Sequence, residues 1–401
     1  MDDKQQITKN QHYVSRGIQK QFADTKKKVY EFFIEKDVLS RKNYDKTMAQ
    51  KFVYEHPQLD VNCLESLFSD IENKYIPKID EVVAEVQQYY SKGLNYDNCI
   101  HKIKELLPIF LIFYFRSGAL LYEYSFSLER PKLDRVERMI INIFNEKYLW
   151  GLCETISKFY ESAVIVDEQE RFLLSDQYVS TVSLSYKNNF SNASNRQIGM
   201  KDTMLLFPLS AKFYVVFYHG EKPIYIDSNQ YCILDDSAVG QLNSVIYQNS
   251  YVKCIAKKEV AFDMLDKVKL YSPTKTMMAY SDGTVKDYIT KREVFLYDKD
   301  RDMHKNSMQY MKEYVSEIKG KIGRNDKCIC GSGKKYKFCC MRKYEEVEKI
   351  IYGINNQDKD LYTIPNVKIA EDAIKVFVGK EEGLNESDRE ILKKMRDIVQ
   401  I

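Results

Sequence analysis

Apolar side chains recur at helical spacing through much of residues 1–161. Leu64, Leu67, Phe68 and Ile71, then Val82, Val83 and Val86, return every three or four positions. That period predicts amphipathic helix, broken or kinked at Pro77. Residues 100–127 read as a second helix built around the apolar run Leu106 to Phe115. This run is ten residues long, well short of the ~20 needed to cross a bilayer, so it predicts a buried core helix. A third helix is expected over 134–161, with Val136, Met139, Ile140, Ile143, Phe144 and Leu149 on one side. The pattern then changes to short β-rich runs, at 163–166, 172–174, 179–186, 204–207, 213–218 and 223–226, punctuated by Asn, Ser, Asp and Gly. Residues 187–197 read as a polar loop. Helix resumes over 237–258, 259–300 is mixed, and a linking helix over 301–320 leads to a cysteine-rich segment at 321–343. Residues 344–401 read as a helical tail. The expected class is α+β: a helix-rich N-terminal region, a central, mainly antiparallel β region, a small four-cysteine knuckle and the helical tail. Residues 1–300 form the main α+β domain.

Composition changes this picture little. The chain has 401 residues, 44% hydrophobic and 30% charged, with a net charge of +3. That is enough apolar material for a sizeable core and too little charge for a polycation. The opening residues MDDKQQITKNQHYV carry no apolar stretch of the secretory kind. Of nine cysteines, Cys63, Cys99, Cys153, Cys232 and Cys254 lie singly in apolar surroundings, which suits reduced, buried thiols. A cytoplasmic protein is the expectation.

The other four cysteines lie in CICGSGKKYKFCC, residues 328–340. A phosphate-binding loop would need Gly where Cys328 stands and Ser or Thr where Lys335 stands. Catalytic dithiols use Cys-x-x-Cys at a helix start, which neither Cys328-Ile-Cys330 nor Cys339-Cys340 supplies. A metal fits better. In an extended segment Cys328 and Cys330 point to one side, Gly331-Ser332-Gly333 can turn the chain, and Cys339 with Cys340 completes four ligands. Four thiolates make the closed tetrahedral set of one structural zinc per chain. The stretch 323–340 resembles the SEC-C motif, the zinc-binding element at the C-terminus of the SecA translocation ATPase, with Lys327 and Ile329 replacing the usual prolines. That resemblance implies zinc and a small docking surface. Between Lys319 and Lys343, nine Lys or Arg face Asp326 alone among acids. Such a basic patch, with Tyr336 and Phe338, suits RNA, a ribosome or an acidic protein partner; solvation of a thiolate-rich knuckle is the plainer reading.

Several segments between 11 and 258 resemble the bacterial domain-of-unknown-function family DUF4238: residues 11–22 (QHYVSRGIQKQF), 64–72 (LESLFSDIE), 114–116, 174–179 (LSDQYV), 207–210 and 242–243. Ser15 and Tyr178 stand where that family usually has proline, and Gly17 replaces an aromatic. Members of the family are associated with anti-phage defence, so the resemblance implies a defence role, with a phage component as a partner. The polar residues within these segments are His12, Glu65, Glu72, Arg116 and Asp176. Glu65 and Glu72 are two turns apart on one helix face, and Arg116 interrupts an apolar helix and calls for a carboxylate partner. Together they could hold an additional divalent metal for phosphodiester cleavage, with Arg116 on phosphate. They could equally be structural: an ion pair between helices, a satisfied histidine, a turn aspartate. Two functions follow. One is a defence effector attacking a nucleic-acid or nucleotide target, docked by its zinc knuckle. The other is a non-enzymatic sensor or adaptor that binds a phage protein, ribosome or chaperone through that knuckle.

Overall fold

The computed structural model describes residues 7–93, 96–125, 134–186, 198–265, 268, 270, 274–279, 285–292, 294–306, 322–328 and 331–342. The polar loop expected at 187–197, most of the linking helix and the tail expected over 344–401 lie outside these residues. So does Cys330.

The class is α+β. The elements in chain order are β1 (Asn10–His12), α1 (Arg16–Lys20), β2 (Lys28–Phe33), β3 (Val38–Asn43), β4 (Ala49–Lys51), α2 (Cys63–Lys92), α3 (Tyr96–Glu105), α4 (Leu107–Phe115), α5 (Gly118–Ser125), α6 (Arg135–Phe144) and α7 (Glu146–Phe159). There follow β5 (Glu161–Val166), β6 (Leu174–Ser175), β7 (Ser180–Ser183), β8 (Thr203–Pro208), β9 (Phe213–His219), β10 (Tyr231–Ile233), α8 (Asp236–Asn249), β11 (Lys253–Ala256), α9 (Val260–Asp263), β12 (Thr274–Ala279) and β13 (Val285–Lys291). Residues 298–306 are helical, within and just before the expected linker.

Several boundaries differ from the sequence reading, each for a local reason. The N-terminal region is not uniformly helical: β1 to β4 precede the first long helix. Helix α2 runs unbroken through Pro77. Pro77 and Asn73, whose carbonyl loses its partner, are both exposed, so water can take the missing hydrogen bond. The helix expected over 100–127 is three helices, broken at Leu106 and at Arg116-Ser117. That expected over 134–161 is two, because the Asn145 side chain accepts from Tyr148 N at 3.2 Å and so starts a second helix. Helix α8 stops at Asn249, and the last residues of the expected 237–258 helix become β11.

Two larger sheets order as β10-β5-β9-β8-β7 and β3-β2-β11-β6; β1-β4 and β12-β13 are separate pairs. The pairing is antiparallel except between β10 and β5. Strands β5, β8 and β9 are buried along nearly their whole length, which is why they read as continuous apolar runs rather than as alternation; β7 is buried but polar in sequence, and β10 is buried only at Cys232. Helix α4 is buried at every position. No helix among the described residues is long and apolar enough to cross a membrane.

The N-terminal pieces pack onto α2 and the end of α4. Strand β1 pairs with β4, His12 opposite Ala49. The chain then turns at Ser15, whose side chain caps α1 by accepting from Gly17 N at 3.2 Å. A Cβ at Gly17 would meet Ile76 of α2 at 2.3 Å; glycine is what lets α1 close on α2. Tyr54 ties three segments together. Its ring packs on Phe68 at 4.9 Å, and its hydroxyl lies 3.2 Å from the Arg116 carbonyl and 3.3 Å from that of His12.

Candidate functional site

Arg116 ends the apolar helix α4 and is 1% exposed. A guanidinium there needs both a counter-charge and a place for its faces. Glu72 of α2 supplies the charge through a close ion pair. Phe68 and Phe113 supply the faces, each with its ring centroid 4.8 Å from the guanidinium carbon. Ser15 donates to the second Glu72 oxygen at 2.9 Å. Burial works against the Arg116 charge, but the Glu72 carboxylate reverses this and the pKa is raised. The partner demanded by the sequence is therefore Glu72.

His12 and Glu65 sit at the edge of this pair. His12 is half-buried, and its Nε2 lies 3.2 Å from the Asp45 carbonyl oxygen. A carbonyl only accepts, so Nε2 carries the hydrogen and Nδ1 is the basic atom. Burial lowers the His12 pKa, with Arg16 and Arg116 adding to the effect against Asp45 and Glu72, so the neutral ring is favoured. Glu65 moves the other way: burial raises its pKa, and Glu72 adds to the rise against the pull of Arg116 and Arg16. The basic group is made less basic and the acidic group less acidic, and Arg16, Arg116 and Glu72 act on both. Met48 and Phe52, on either side of β4, hold φ of 49° and 53°. Such values are strained for bulky side chains and are a feature of functional surroundings.

Asp176 is placed elsewhere. It directly follows β6, as the sequence suggests, but its carboxylate accepts from the backbone N–H groups of Tyr251, Val252 and Lys253 at 3.0, 2.7 and 3.0 Å. It anchors the start of β11. Burial pushes its pKa up to about 6, while the three backbone donors and Arg292 pull against that rise. His12, Glu65, Glu72 and Arg116 form one charge-coupled cluster, and Asp176 belongs to a different polar nest. The residues that sequence reasoning passed over are Ser15, Arg16 and Tyr54. The first two lie within the segment 11–22, beside His12.

The second site is the cysteine knuckle. Lys327 and Lys335 bridge antiparallel, and Cys328 N donates to the Lys334 carbonyl at 2.7 Å. Gly331 and Gly333 turn the chain at φ of 74° and 71°, where only glycine is at ease. The sulfurs of Cys328, Cys339 and Cys340 lie within 4.8 Å of one another, those of Cys339 and Cys340 at 3.8 Å. A tetrahedral site with metal–sulfur bonds of about 2.3 Å has edges of about 3.8 Å, so this donor set fits a thiophilic ion. The Ser332 hydroxyl lies 3.2 Å from the Cys339 sulfur. Among the described residues, this is the group of three His, Cys, Asp or Glu with ligand atoms gathered closely enough for a metal; His12, Glu65 and Glu72 do not reach that spacing. Arg324, Lys327, Lys334, Lys335 and Arg342 are exposed around the thiols, as is Phe338 at 73%.

Residues 10–139 match the family described as protein of unknown function DUF4238, and residues 324–342 match the SEC-C motif. The family match takes in His12, Glu65, Glu72 and Arg116 and stops before Asp176. The chain is 82% identical over 22 residues to the protein translocase subunit SecA of Symbiobacterium thermophilum, covering 6% of this chain and 2% of that protein. It is 66% identical over 32 residues to SecA of Clostridium acetobutylicum, covering 8% and 4%. It is 59% identical over 29 residues to a UPF0225 protein of Yersinia pestis, covering 7% and 19%. The chain therefore spans less than a fifth of the length of each of these relatives, and the SecA likeness falls on the SEC-C region. No solved structure matches.

Proposed function

We propose that this chain is a hydrolase of phosphate esters in nucleotides or nucleic acids, serving in anti-phage defence, with a zinc-loaded SEC-C knuckle as its docking element. The observation that carries the catalytic part is that the Arg116–Glu72 pair acts on both a histidine whose pKa burial lowers and a glutamate whose pKa burial raises. These are His12 and Glu65. In the proposed reaction His12 Nδ1 takes a proton from water as the water oxygen bonds to phosphorus. Glu65 gives its proton to the leaving oxygen as that P–O bond breaks, and exchange with solvent resets both groups. Glu72 and Arg116 position the pair. The defence role rests on the resemblance to DUF4238. In the knuckle, Cys328, Cys339 and Cys340 would hold zinc with Cys330 as the fourth ligand. Zinc there would order the loop, and the exposed lysines and Phe338 would meet a polyanionic partner such as RNA or an acidic protein surface.

His12→Ala and Glu65→Gln should each lower turnover of nucleotide or oligonucleotide substrates by about 10²- to 10⁴-fold. Cys328→Ser combined with Cys340→Ser should leave turnover intact while cutting protection against phage. The sensor or adaptor reading is favoured by the mutual satisfaction of Arg116, Glu72 and Ser15. It wins if the cysteine variants lose protection while His12→Ala and Glu65→Gln keep it.

A further inference from the structure

Arg16 is exposed, directly follows Ser15, whose hydroxyl donates to Glu72, and its side chain forms no hydrogen bond or ion pair among the described residues. Its charge reaches both His12 and Glu65, as does that of Arg116. The two guanidiniums thus flank the same two groups, one from solvent and one from the core. Arg116 has a further feature: its Nε–H is buried and has no partner among the described residues, although another nitrogen of the same group holds Glu72. A buried donor left unmade costs about 1–3 kcal/mol, and such a donor together with that surface cation is complementary to an oxygen anion. Glu72 already neutralises Arg116, so the charge of Arg16 is the one left over for a ligand.

We infer that this site takes a single terminal phosphate group, gripped by Arg16 from the exposed side and by the Nε–H of Arg116 from within. The inference rests on the hydrolase reading above and names its substrate class: a nucleotide or a phosphorylated strand end rather than the interior of a continuous strand. A protein that follows a strand needs a succession of cations along it. Among the described residues, the cations acting on His12 and Glu65 are Arg16 and Arg116, and the other side-chain charges acting on them are the carboxylates Glu55 and Glu72.

The test is calorimetric titration of the full chain with inorganic phosphate, AMP and adenosine. Phosphate and AMP should bind and adenosine should not. Arg16→Ala should weaken both by about 10- to 100-fold, the loss expected for a charge-assisted hydrogen bond. Arg16→Lys should recover part of that, since it restores charge without the two-pronged donor geometry. In ¹⁵N-resolved NMR the side-chain Nε–H signal of Arg116 should shift on adding phosphate. The inference is overturned if phosphate fails to bind, if Arg16→Ala binds it as wild type does, if adenosine binds as well as AMP, or if the Arg116 signal stays put. His12→Ala should still bind phosphate. If binding behaves as stated while His12→Ala and Glu65→Gln turn over normally, the acid–base reading fails and the phosphate site stands.

Discussion

Helix α4 and the cysteine knuckle show two ways in which this chain becomes ordered. Every residue of α4 is buried, within one hydrophobic cluster that joins the helices to the larger sheets. In the knuckle, Cys328 is the buried residue among those described at 322–342, while Phe338 points outward. The first is held by apolar area removed from water, at about 25 cal/mol per Å². The second has almost no such area, and its order rests on glycine turns, a few backbone hydrogen bonds and three converging thiols. The difference teaches that the two regions should fail independently, and under different insults.

The largest effect expected is removal of the metal ligands. Cys328→Ser with Cys340→Ser, or a strong chelator, should unfold the knuckle outright, because bound structural zinc contributes roughly 10 kcal/mol or more to such a loop. Limited proteolysis within 322–342 should accelerate sharply while the thermal unfolding of the main domain stays where it was. A main domain that melts together with the knuckle would break the comparison. So would purified wild-type protein that carries no zinc.

Next in size is the buried ion pair. Glu72→Gln leaves the Arg116 guanidinium in the core without its counter-charge, which costs about 3 kcal/mol, at the low end of such losses because Glu72 is partly exposed. Urea unfolding of the main domain should report this, and zinc content should not change.

An effect of similar size, spread over the pH range and so smaller at any one pH, concerns Asp176. Its folded pKa of about 6 lies above the ~3.9 of an unfolded chain, so the native state holds this proton more tightly. Its contribution to stability is then complete below about pH 3.9 and is lost as pH rises through about 6, a change of about 3 kcal/mol. Asp176→Asn cannot titrate, so its melting temperature between pH 4 and 7 should lack the fall that Asp176 gives the wild type. Identical pH profiles would show that the three backbone donors, not burial, govern this carboxylate.

Much of the fold was legible because period and burial are local signals. The ten-residue run at 106–115 could only be core, and β5, β8 and β9 announced themselves as apolar runs, whereas the strand expected at 223–226 does not form and β10 at Tyr231–Ile233 was not expected. Boundaries were less legible. Pro77 does not break α2 because its lost hydrogen bond faces water, a fact that depends on which side of the helix meets the core. The knuckle was legible because four cysteines at fixed spacing state their chemistry within thirteen residues. In the candidate site, Arg116 demanded a carboxylate, but Glu65 and Glu72 were both open as its partner until their positions were known.

What the sequence determined by itself is therefore the set of local facts: the α+β class, the buried helix, the turn glycines and the thiol set, each encoded within one or two turns of chain. Only the tertiary structure decided that Glu72 answers Arg116, that Asp176 is bound to the backbone before β11, and that Arg16, without a partner among the described residues, acts on both His12 and Glu65. Those are contacts between segments dozens of residues apart. Their energies depend on distance and burial, and neither can be read until the chain has closed on itself.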